Sequence, residues 1–96
     1  MIELSDTENV LLDVVAERQR QDAKWGVQNH HLEWWYAILG EEFGEVGKAI
    51  LETHFDNGPE ARKFGGLDNI RKEAIHVAAV AVALCECIDR AKESGR

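Results

Sequence analysis

Apolar and polar positions along this chain repeat with the period of a helix, and no stretch alternates long enough to form a strand. A first helix is predicted to open at Ser5 or Asp6, where Ser5 and Glu8 stand at capping-box spacing, and to run to Ala23. Val10, Leu11, Val14 and Val15 form its apolar stripe, after which it continues through a polar Glu17. Lys24 to His31 lacks periodicity and reads as a loop. A second helix is expected from about Leu32 to Glu52, with Trp35, Ile38, Leu39, Phe43, Val46, Ala49 and Ile50 as its packed stripe. Phe55 to Leu67 is a connection in which Pro59, the only proline, suits the first position of a short helical turn over residues 59–62. The third helix is expected to start at Asp68 as N-cap and to end near Lys92.

The middle of that third helix, AIHVAAVAVALC, is apolar on every side, and such a helix must be covered on every side. Ninety-six residues make a single domain, spanning 1–96, and its three helices cannot enclose one of their own. The fold class expected is therefore all-α, a helical bundle whose four-helix-like core is completed by homodimerisation. Alanines at 74, 78, 79, 81 and 83 allow the close helix approach this needs. The alternative is a monomer whose first helix wraps the third.

Charge narrows the functions open to such a bundle. Eleven Lys and Arg against 18 Asp and Glu give a formal charge of −7, which argues against a nucleic-acid polymer as partner, because that surface needs clustered cations. The N-terminal segment carries acids where a secretory signal carries bases, and the longest apolar run is too short to span a bilayer. Cys85 and Cys87 stand two apart on a helix and point apart, so they form neither a bridge nor a shared metal site. A cytoplasmic protein with no membrane partner is the expectation.

The chemistry lies in Gly40-Glu41-Glu42-Phe43-Gly44-Glu45. Glu42 and Glu45 are three apart, and Glu41 and Glu45 four apart, so the three carboxylates crowd one side of the second helix. They are interleaved with apolar positions, which sets some of them at the edge of the core. Glu73 and His76 repeat the three-residue spacing at the head of the third helix's apolar run. Paired acids facing each other from two packed helices can hold a hard divalent cation such as Mg²⁺ or Mn²⁺. A solvated acidic face is the plainer reading. The chain has no P-loop, GxGxxG, HExxH or EF-hand loop, and its single Glu-x-x-His pair falls short of the two a di-iron bundle needs.

Glu42-x-x-Glu45 followed by Glu73-x-x-His76 resembles the ExxE…ExxD pattern of the MazG-like all-α nucleoside triphosphate pyrophosphohydrolases, a group akin to the dimeric dUTPases. The likeness extends over most of the chain, including Gln21 to Gly26 and Lys72 to Leu84. It implies a homodimer or dimer of dimers that binds Mg²⁺, or Mn²⁺, through Glu42, Glu45, Glu73 and the position of His76. The implied reaction splits a nucleoside triphosphate between its α- and β-phosphates, giving monophosphate and pyrophosphate, with Glu41 or Glu42 accepting the proton of water. His76 stands where the family has an acid, so it either ligates a metal, marks a relative that binds nucleotide with little turnover, or is a core histidine. For the rest of a nucleotide, Lys24 and Arg71 are candidate phosphate partners, with Lys48 and Lys72 nearby. Trp25 is the candidate for stacking on the base, with Gln21 or Asn29 reading its edge, and Trp35 is expected in the core. A purely structural dimerisation domain is the remaining alternative.

Overall fold

The computed structural model describes residues 2–55 and 66–95, which form three helices: α1 (Asp6–Trp25), α2 (Leu32–Phe55) and α3 (Gly66–Glu93). The described residues are all-helical apart from short connecting and terminal segments. The turn expected at 59–62 lies outside them.

α1 starts where its capping box requires. The Ser5 hydroxyl accepts the Glu8 N–H at 3.1 Å, and the Glu8 carboxylate accepts the Ser5 N–H at 2.9 Å. The helix ends two residues later than the periodicity suggested, so Lys24 and Trp25 belong to its last turn and not to a loop. Gly26 stops it at φ 70°, ψ −166°, a backbone region that side chains disfavour, while its N–H still bonds the Asp22 carbonyl at 2.8 Å. α2 likewise runs on to Phe55. α3 begins at Gly66, which puts Asp68 inside its first turn, where it favours the helix dipole without being the N-cap.

α3 is the central element: α1 and α2 each pack against it, and their own backbones do not approach each other. Two small cores result. Trp35 of α2 packs with Val80, Ala83 and Cys87 of α3, flanked by Ile38, Leu39 and Leu84. Val14 of α1 packs with Ile75 and Ala79 of α3. Trp35 is thus the core residue expected of it, only 2% exposed.

The stripe expected on α1 is corrected. Val10, Leu11 and Val15 are exposed and only Val14 is buried, because the helix turns one narrow edge to α3. On α2, Phe43 is also outside the packed stripe, 72% exposed. Around α3, Ala74, Ala81, Val82, Cys85 and Ile88 are exposed in the single chain. Among the described residues no helix is long and apolar enough to cross a membrane.

A cross-brace holds α1 to α3. Arg18, mostly buried, donates from Nε and Nη2 to one Glu86 oxygen at 3.1 and 2.9 Å, and from Nη2 to Asp22 at 2.8 Å. Its Nη1 holds the Gln21 side-chain oxygen at 2.9 Å. A second clamp comes from Arg90, which donates to the Asn29 side chain and the Gln28 carbonyl, tying the α1–α2 connection to the end of α3.

Candidate metal centre

On each helix the inward stripe changes from apolar to polar at one level. On α3 the stripe Cys87, Ala83, Val80 continues to His76 and Glu73. On α2 Glu42 occupies the inward position between Leu39 and Val46. On α1 Glu17 follows Val14 by three and Gln21 follows Glu17 by four. Helical spacing alone therefore carries these polar side chains into the groove where the helices meet.

Glu42, Glu73 and His76 each offer a ligand atom within 4.8 Å of the other two, and all three are part-buried. His76 Nδ1 lies 3.4 Å from a Glu73 oxygen and 4.0 Å from a Glu42 oxygen. Donors around a cation at about 2.1 Å stand about 3 Å apart when adjacent and about 4.2 Å apart when opposite, so these separations suit a shared ion. Two carboxylates and one imidazole form a donor set that divalent transition ions accept readily and Mg²⁺ less well. Burial, opposed by His76 and reinforced by Glu73, Glu41 and Glu45, raises the Glu42 carboxyl above its usual range. A cation held there would offset the repulsion that Glu73, Glu41 and Glu45 exert on Glu42. The residues present fit such an ion.

A cleft of about 420 Å³ opens beside the cluster, with Glu17, Glu42 and His76 at its polar end and Trp25, Trp34, Trp35, His30 and Ile38 along its apolar walls. Trp25 and Trp34 are exposed, so their rings are free to cover a ligand. A separate recess of about 250 Å³ on the other side of His76 is bordered by Arg20, Arg71 and Lys72. Comparison of the chain with known protein families, with characterised proteins and with solved structures gave no match. The chemistry of the site rests on its own geometry.

The residues singled out in the sequence divide as follows. Glu42, Glu73 and His76 come together. Glu41 and Glu45 are exposed and outside that group, because Glu45 lies about 60° around the helix from Glu42; both still act on Glu42 through charge. Gln21 and Trp25 line the cleft, although the Gln21 amide already bonds Arg18 and, at 3.3 Å, Glu17. Lys24 stands 4.6 Å over the Trp25 ring and supports it from outside the cleft lining. Asn29 accepts from Arg90 and borders a shallow recess with His31 and Glu33. Arg71 pairs with Asp13 at 2.7 Å and faces the recess beyond His76. Sequence reasoning assigned no site role to Glu17 or Arg20, and it favoured Trp25 over Trp34 for stacking, whereas both tryptophans line the cleft. The signal for Glu17 was present in its spacing from Val14, which extends the one buried position of α1.

Proposed function

We propose that the chain is a divalent-metal-dependent nucleoside triphosphate pyrophosphohydrolase acting in the cytoplasm, cleaving between the α- and β-phosphates. The observation that carries the reading is the gathering of Glu42, Glu73 and His76, two of which, Glu42 and His76, line a cleft that Trp25, Trp34 and Trp35 also line. A cation held by those three residues would offset the triphosphate's charge and lower the pKa of an attacking water. The base lies against Trp25 and Trp34. Arg71, Lys72 and Arg20 border the recess that would receive the outer phosphates. Water bonds to the α-phosphorus, the bond to the bridging oxygen breaks, and pyrophosphate leaves. Glu42, through an oxygen not engaged by the cation, takes the proton of water.

The working unit is proposed to be a homodimer. The outward face of α2 carries Leu32, Tyr36 and Phe43, exposed by 66%, 81% and 72%, and α3 leaves apolar residues open. A second copy covering these faces completes a four-helix-like bundle.

The test is pyrophosphate release from a panel of ordinary and modified triphosphates with Mg²⁺ or Mn²⁺, with Glu42→Gln as control. Release by the wild type and its loss in the variant are expected. No release from any substrate with either ion would sink the proposal. A second reading, nucleotide binding without turnover, draws support from the imidazole in the donor set. It predicts that His76→Asp gains Mg²⁺-dependent hydrolysis over the wild type.

A further inference from the structure

The imidazole of His76 has a carboxylate on each side. Nδ1 faces Glu73 and Glu42, the two acids of the candidate centre, whereas Nε2 faces Glu17 of α1, whose Oε2 lies 3.7 Å away. Glu17 is the least exposed of the three acids, at 13% for its side chain, and both of its oxygens are held. Oε1 accepts from Arg20 Nε at 2.8 Å, with Nη2 at 2.7 Å. Oε2, the oxygen turned to His76, also accepts from Gln21, which is itself fixed by Arg18 and so by Glu86 of α3. The carboxylate is therefore pinned with one oxygen directed at the far nitrogen of the ring.

We propose that Glu17 is a positioning residue for His76, accepting its Nε2–H when Nδ1 gives its lone pair to an ion held with Glu42 and Glu73. A neutral imidazole carries its proton on one nitrogen only, and the hydrogen bond made by one nitrogen decides which lone pair is free for a ligand. The gap of 3.7 Å exceeds a hydrogen bond by about 0.7 Å, so the ring must turn toward Glu17 for the bond to form. The arrangement matches the carboxylate–histidine–metal relay in which an outer acid orients a ligating imidazole. It also gives α1 a place in a centre otherwise built from α2 and α3. The inference rests on the metal reading above.

The experiment compares wild type, Glu17→Ala and Glu17→Gln by Mn²⁺ titration, with no nucleotide present, and by ¹H–¹⁵N NMR of solvent exchange at the His76 Nε2–H in protein loaded with diamagnetic Zn²⁺. Circular dichroism establishes that each variant is folded. The wild type is expected to bind Mn²⁺ and, loaded with Zn²⁺, to show a slowly exchanging His76 Nε2–H. Glu17→Ala is expected to lose that protection and to bind Mn²⁺ about 10–100-fold more weakly. Glu17→Gln, which keeps an acceptor oxygen, is expected to fall between them. Wild-type affinity and unchanged Nε2–H exchange in Glu17→Ala would overturn the role of Glu17 while leaving the centre intact. Absence of Mn²⁺ binding in the wild type would overturn the metal reading and this inference with it.

Discussion

Trp35 is almost wholly removed from solvent, and its indole N–H finds no acceptor among the described residues. Its ring meets His30 edge to face, with centroids 4.9 Å apart, and fills the space between α2 and α3. Truncation to alanine is expected to cost about 3–5 kcal/mol of stability. Trp35→Phe should cost less by at least about 1 kcal/mol, because it deletes an unpaired buried donor along with some volume; urea unfolding of the two variants checks the order. Glu42 presents the opposite case. Its folded-state proton affinity lies above its unfolded value, so in metal-free protein the folded state loses stability as pH rises through that range. Metal-free Glu42→Gln is therefore expected to melt higher than wild type at neutral pH, while failing to support activity. A lower melting temperature would show that the carboxylate serves the fold rather than the site.

At the scale of the element, α1 depends on the groups that begin and end it. The Ser5 backbone bond, followed by the Ser5 hydroxyl, holds Glu8 below the ordinary carboxylate range. A depressed folded pKa stabilises above the unfolded value and is lost as pH falls through the folded one. Amide protection in the first turn of α1, relative to the unstructured rate at each pH, should thus fall as pH drops through the carboxylate range, and Glu8→Gln should remove that dependence. At the other end, Gly26→Ala is expected to destabilise by about 1–3 kcal/mol from backbone strain alone, since no atom lies within 4 Å of where its Cβ would stand. Thermal unfolding measures it. The helix existence and the capping box were legible in the sequence because both are local, depending on spacing over three or four residues. The last turn of α1 was not, because Lys24 and Trp25 look polar and aromatic without period and are carried by the helix only until Gly26 stops it.

Across the whole molecule, the buried hydrophobic side chains of the described residues include three alanines, and the shortest dimension is 20 Å, about two helix diameters. So thin a layer leaves little core for one copy to stand on. The proposed homodimer predicts a melting temperature that rises with protein concentration. It also predicts that Phe43→Glu sediments at half the wild-type mass. Phe43 is already exposed in the single chain, so this change leaves the chain's own core intact. A wild type that sediments as a monomer at every concentration would remove the dimer from the proposal.

What the sequence determined by itself was the set of local facts: all-helical elements, the cap at Ser5, Trp35 as core, and two pairs of polar side chains, Glu42 with Glu45 and Glu73 with His76, at three-residue helical spacing. Each follows from the 3.6-residue period, which any reader of the chain can apply. Only the tertiary structure decided which member of each pair meets which. Glu42 turns to α3 and Glu45 away from it because α3 packs on one side of α2 alone. Glu17 enters the group from a helix whose motif content gave it no prominence, because α1 packs on α3 through the narrow edge that carries Val14. Spacing fixes the angle of a side chain around its own helix, and the packing of the helices fixes which angles point at one another.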